Sequence, residues 1–247
     1  MSALAALTER SLMSAARDGG LIFEMLSPVA YLAGFTVALH GLVETDHMSY
    51  SQYLVPGVVA QSMIFVALLT ADRTARDRLT ALGERFSALP IAAAAPVTAR
   101  IVATLMRAAL ALSVAMVAGY AFGFRITGGL RFGLAFVVMA LLLCLAVGLG
   151  ADALGSSVSS VQAVSHLLFV PQVLLFMLST GIAPEKTFPA WLGPYVRNQP
   201  VSQVAETLRG LATGRLAIGN VTASLVWCAT MMLVFGAITL RLQRRAK

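Results

Sequence analysis

Six stretches of the chain are almost continuously apolar: 21–43, 53–71, 101–122, 132–151, 161–181 and 217–240. A helix needs about 20 apolar residues to cross roughly 30 Å of hydrocarbon, and each stretch has close to that number. The runs do not alternate polar with apolar as the strands of a membrane barrel would. The pattern therefore predicts an all-α polytopic membrane protein with six transmembrane helices.

An even number of spans puts both chain ends on one side of the membrane. Eleven Lys and Arg residues fall in the segments on that side and six in those opposite; loop 44–52 carries none, whereas 72–100 carries five. That bias places both termini in the cytoplasm.

Three segments outside the spans are organised. In 3–17, Leu4, Leu7, Leu12 and Ala15 oppose Glu9, Arg10 and Arg17, which predicts a short helix lying on the inner membrane surface. The cytoplasmic loop 72–100 opens with Asp72, Arg73, Arg76, Asp77 and Arg78, pauses at Gly83 and continues Glu84-Arg85-Phe86-Ser87-Ala88-Leu89-Pro90. Pro90 stops a helix at or before Leu89. The two charged turns with Phe86 and Leu89 at i, i+3 read either as a helix presented to a protein groove or as an ordinary basic loop. The third segment, 182–216, holds Pro184, Pro189, Pro194 and Pro200 together with Phe188, Trp191 and Tyr195. It predicts two short pieces dipping into or lying along the outer interface. Val201, Val204, Ala205, Leu208 and Leu211 repeat at helical spacing, and Gly210 or Gly214 ends that piece.

Composition agrees with the pattern. The 247 residues are 58% hydrophobic and 12% charged, with a mean hydropathy of +0.83. Soluble domains carry about 25% charged residues, so these values point away from a soluble enzyme. A membrane protein with an excess of basic residues on its inner side reaches the net charge of +7 without a nucleic acid partner. The only lysines are Lys186, after Glu185, and Lys247, the last residue, so there is no phosphate-cradling Gly-x-x-x-x-Gly-Lys motif. His40, His47 and His166 are too scattered for a metal cluster, and Cys144 and Cys228 sit in apolar runs. The cluster Ser157, Ser159, Ser160, Ser165 and His166 reads as a polar turn entering a span, since adjacent helical residues point about 100° apart.

Charges at membrane depth need partners. Glu24 and Arg100 lie near span ends, where both are expected to reach the interface. Arg107 is two turns deeper, on the face of Arg100 and Thr104. It either pairs with Glu24 or Asp152 or lines the route of an anionic substrate. On the fifth span Gln162, Phe169 and Phe176 are spaced by seven, as are Ser165, Gln172 and Ser179, so all six share a face about 140° wide beside Pro171. That stripe is either a wall facing an amphipathic substrate or a second subunit, or packing within one subunit. On the fourth span Ala140, Cys144, Gly148 and Asp152 form a small-residue ridge.

The run Leu178-Ser179-Thr180-Gly181-Ile182-Ala183-Pro184, then Phe188-Pro189-Ala190-Trp191-Leu192, Asn198-Gln199-Pro200-Val201-Ser202 and Leu208-Arg209-Gly210-Leu211 resembles the C-terminal signature of ABC-2 type permeases. Glu84 to Ile91, with Arg100 beyond, is similar to that family's first coupling helix. The nearest likeness is to the daunorubicin- and doxorubicin-resistance type of exporter permease of actinobacteria, including mycobacterial relatives implicated in lipid export. The resemblance implies a single transmembrane domain over 1–247 that is not itself an enzyme and carries no cofactor. It further implies a transporter of two permeases, this chain with itself or with a sister, and two separate ATP-binding subunits holding ATP and Mg2+. In such an assembly Glu84, Arg85, Phe86, Leu89 and Pro90 dock into the ATPase, and 182–211, with Pro184, Pro189, Trp191, Asn198, Pro200 and Arg209, forms outer re-entrant helices. The substrate is then an amphipathic drug or lipid, moved outward. Two other classes compete: an ion-gradient-driven secondary transporter, whose repeated halves are not seen here, and a membrane enzyme.

Overall fold

Long apolar helices make up most of the described residues. The structure, a computed structural model, describes residues 3–17, 19–39, 48–79, 95–158 and 160–245. Among these residues the chain forms α1 (Ala3–Arg17), α2 (Gly20–Leu39), α3 (Tyr50–Leu79), α4 (Ala95–Ala121), α5 (Leu130–Ser157) and α6 (Val161–Met177). A 3-10 turn (Glu185–Thr187), α7 (Gly193–Asn198), α8 (Pro200–Thr213) and α9 (Ile218–Arg245) follow. No strand occurs among the described residues.

Five helices, α2, α3, α4, α5 and α9, are long and apolar enough to cross a membrane. The stretch 161–181, expected as a sixth span of the same kind, is helical only over Val161–Met177, and its apolar part is Leu167–Met177. The helix stops there because Ser179 Oγ donates to Phe176 O at 2.7 Å and accepts the Gly181 amide at 3.2 Å, closing a turn. Pro171 lies inside α6 without ending it.

The axis of the bundle is α3, which is buried from Tyr50 to Ala75 along most of its length and packs against α2, α4, α5, α6 and α8. Its contact with α5 is the most extensive and depends on small residues. Ala140, Cys144 and Gly148 are buried, and a methyl group at Gly155 would lie 2.3 Å from the Ala71 carbonyl oxygen. The helix also continues through Asp72–Leu79, where a loop is expected from the run of charges. Those charges fall on a helix surface that meets partners: Arg73 reaches Glu24, Thr74 reaches Asp152 and Asp77 reaches Arg10 of α1. The amphipathic α1 lies against α4 and α2.

At the other end of α3, α8 is wedged between α3, α5 and α9 with Val204, Ala205, Leu208 and Ala212 wholly buried. Pro200 opens it at the first helical position, where a missing N–H costs nothing. Gly214, not Gly210, closes it at φ 72°, a left-handed conformation that glycine adopts without strain. The α4–α5 connection is tied to the same place, since the amides of Thr127 and Gly128 both donate to Ala212 O, at 2.8 and 3.1 Å.

Candidate functional site

Arginines and carboxylates spaced far apart in the chain converge where α3 ends and α4 begins. Glu24 has no exposed side-chain surface and Arg107 has 1%. Arg107 Nη1 donates to Glu24 Oε1 at 2.5 Å, and Arg73 Nη2 approaches the same oxygen at 3.0 Å. Arg107 Nη2 also donates to Thr104 Oγ1 at 3.0 Å, and the Thr70 and Thr104 hydroxyls are 2.7 Å apart. One turn away, Arg100 Nε and Thr74 Oγ1 donate to Asp152 Oδ1 at 2.6 and 2.9 Å. Of the two partners open to Arg107 from the sequence, the structure brings it to Glu24; Asp152 is held by Arg100. Glu24 does not reach the interface as expected but is enclosed. Two guanidinium groups from different helices hold its charge, which makes burial tolerable where an unpaired carboxylate would not be.

The stripe on α6 is divided by the fold. Phe176 is 2% exposed, with its ring 5.9 Å from Tyr31 and 5.7 Å from Phe35 of α2, and Gln172 and Ser179 are buried beside it. Phe169 is 66% exposed, although only 20° of helical rotation separates it from Phe176. Leu168 instead packs against the small cluster of Ala71, Ala75 and Ala151. Gln162 and Ser165 lie on the first turns of α6, and their side chains are outside the described positions. The structure thus packs Phe176 against α2, buries Gln172 and Ser179 and leaves Phe169 facing outward.

The segment 178–213 is knit by Arg209. Its Nε donates to Tyr53 O at 2.9 Å and its Nη2 to Thr180 O at 2.5 Å, while Nη1 meets Glu206 at 2.6 Å. The guanidinium also lies 3.6 Å over the Tyr53 ring, and the Tyr53 hydroxyl donates to Thr180 O at 2.7 Å. Gln199, between Asn198 and Pro200, donates to Leu178 O and to Ser202 Oγ, which itself accepts the Thr180 amide. A methyl group at Gly57 would sit 2.1 Å from Gly181 O, so α3 and the turn after α6 meet backbone to backbone. Asn198 makes a local bond to Pro194 O, Pro184 precedes the 3-10 turn, Pro189 is exposed beyond that turn, and Trp191 is 79% exposed. Sequence reasoning singled out Arg209 but missed Tyr53 and Gly57. The signal was available only as an aromatic and a glycine one turn apart in an apolar helix. Glu84, Arg85, Phe86, Leu89 and Pro90 lie outside the described residues.

Comparison with known proteins gives one consistent kinship. The ABC-2 type transporter family matches residues 2–213. A doxorubicin resistance ABC transporter permease of Mycobacterium tuberculosis is 27% identical over 203 residues, covering 79% of this chain and 70% of the relative. A daunorubicin resistance ABC transporter permease of Streptomyces coeruleorubidus is 29% identical over 229 residues, 91% of this chain and 79% of the relative. A probable doxorubicin resistance permease of Mycobacterium tuberculosis is 27% identical over 229 residues, 92% and 83% of the two chains. With a matched region that runs from α1 to the end of α8 and five helices able to span a membrane, the chain belongs to the ABC-2 type transporter family.

Proposed function

We propose that this chain is the permease subunit of an ATP-driven exporter that moves an amphipathic drug or lipid out across the bacterial plasma membrane. The observation that carries this reading is its kinship, over 91% of its length, with a permease named for daunorubicin resistance. Two permeases, this chain twice or with a sister, combine with two ATP-binding subunits that hold ATP and Mg2+. Both termini and 80–94 face the cytoplasm, and Glu84 to Pro90 dock into the ATP-binding subunit. Closure of the ATP-binding subunits on nucleotide displaces that segment and reorients the permeases about each other. Phe169, exposed on α6, presents the aromatic surface that an amphipathic substrate or a second subunit meets, while Gln172, Phe176 and Ser179 pack within the subunit.

The test is a gentle detergent purification of the tagged chain from its native host, with mass spectrometry of what stays bound. Recovery of an ATP-binding subunit with a P-loop, with or without a second permease, is the expected result. A chain that purifies alone under conditions that preserve known transporter complexes would overturn it. Phe86→Asp tests the docking segment: transport by the assembled membrane is expected to fall to background while the spans remain folded. Unchanged transport and ATPase stimulation in that variant would remove the docking assignment.

A second reading, transport driven by an ion gradient, draws on the buried carboxylates Glu24 and Asp152. One oxygen of each is held by arginine, so neither carboxylate is an unpaired charge. Whether transport collapses with ATP depletion or with an uncoupler separates the two.

A further inference from the structure

The two helices that lead into and out of 80–94 are gripped by the same pair of carboxylates. The stem on α3 contributes Arg73 and Thr74, and the stem on α4 contributes Arg100 and Arg107. Glu24 of α2 holds one donor from each stem on a single oxygen, Arg73 from α3 and Arg107 from α4. Asp152 of α5 repeats the construction with Thr74 from α3 and Arg100 from α4. Beside the Glu24 bridge the Thr70 and Thr104 hydroxyls join the stems directly, and Arg107 Nη2 donates to both.

Stability alone does not account for this arrangement. Five ionised side chains in a helix bundle carry a desolvation cost that apolar residues of similar volume avoid. Ion pairs of this kind do, however, act mechanically in a way that apolar contacts do not. Packed apolar helices slide past one another in small shears, whereas an ion pair in a medium of low dielectric resists separation strongly. A carboxylate that bridges both stems must follow them as a unit.

We propose that Glu24 and Asp152 are positioning residues that transmit displacement of the two stems of 80–94 to α2 and α5 respectively. This rests on the reading that 84–90 docks on the ATP-binding subunit. Glu24 delivers the motion to the helix that carries Tyr31 and Phe35 against Phe176, and so to α6, which bears the exposed Phe169. Asp152 delivers it to the helix packed most extensively on α3. Neither residue touches nucleotide or substrate in this scheme.

The test uses the full chain in complex with the ATP-binding subunit that co-purifies with it, in lipid nanodiscs, with and without Mg2+, ATP and vanadate. Hydrogen–deuterium exchange is read in peptides from 80–94, from 20–31 and from 146–157. In the native complex, nucleotide trapping is expected to change exchange in all three. Glu24→Gln keeps the response of 80–94 and of 146–157 and loses that of 20–31. Asp152→Asn keeps the responses of 80–94 and 20–31 and loses that of 146–157. A purely structural role would lower the thermal midpoint of either variant yet leave all three responses, and that result overturns the inference. A native complex in which 80–94 responds but 20–31 and 146–157 do not also overturns it, while leaving the docking reading intact. A native complex in which 80–94 itself gives no response refutes the docking reading and the inference together. If one variant does not assemble, the other still decides the half of the inference that its own carboxylate carries.

Discussion

Arg209 ties several separate segments together at its end of the bundle. Its guanidinium stacks on Tyr53 and satisfies the carbonyls of Tyr53, Thr180 and Gly181, which belong to segments as far as 156 residues away in the chain. Arg209→Lys keeps the charge but replaces a planar fork with a single point donor. It is expected to destabilise the protein by about 1–3 kcal/mol through the carbonyls left bare, seen as a lower thermal midpoint in detergent. Beside it, Gly57→Ala would drive a methyl group into the Gly181 carbonyl, a backbone atom that no rotamer change can move aside. A loss of at least about 3 kcal/mol is expected. Gly34→Ala is the matched control: a methyl group there meets open space, and the change should be neutral or stabilise the helix by up to about 1 kcal/mol. A similar loss in both variants would show that the cost is generic to helix glycines and not a product of the α3–α6 contact. At this scale the sequence was legible in part. The motif around Arg209 was visible, but its stacking partner lies on a distant helix that no spacing rule connects to it. Glu24 was misplaced for a related reason: position along a helix gives distance from its end, not the neighbours that enclose it.

At the scale of the helix, α6 shows how far periodicity carries. Seven-residue spacing correctly puts Phe169 and Phe176 on nearly one face, yet the first is exposed and the second is enclosed by Tyr31 and Phe35. The difference arises because that face of α6 meets α2 near Met177 and has no described aromatic neighbour at Phe169. Where two helices part company is a property of packing, not of either sequence. Phe176→Ala is expected to cost about 3–5 kcal/mol by opening a cavity in the core. Phe169→Ala should change stability by no more than about 0.5 kcal/mol, whatever it does to transport. Equal destabilisation in thermal unfolding would mean that both rings are core residues and that the stripe is undivided. The five long spans were read correctly from continuous apolar runs, since length and hydropathy are local quantities. The end of α3 was read eight residues short, because a run of mixed charge looks the same in a loop as on a helix whose charges meet partners.

For the whole molecule, α3 connects two polar locks. Tyr53, held by Arg209, and Arg73, held by Glu24, are 20 residues apart on one continuous helix, which at 1.5 Å per residue is about 30 Å. That distance matches the hydrocarbon thickness of a bilayer, so the two locks belong at opposite membrane surfaces. The orientation proposed above puts the Arg73 end in the cytoplasm, where 84–90 would meet an ATP-binding subunit. Two engineered thiols test this directly, because Cys144 and Cys228 are both buried and contribute little background. Trp191→Cys places a thiol at a highly exposed position on the Arg209 side, and Arg78→Cys places one at an exposed position beyond Arg73. In intact cells a membrane-impermeant maleimide should label the first and spare the second, which becomes reactive only after the membrane is permeabilised. The reverse pattern would invert the chain and turn 84–90 away from nucleotide, removing the exporter mechanism with it. Labelling of both in intact cells would mean that α3 does not cross the bilayer, and the two locks would then share one surface.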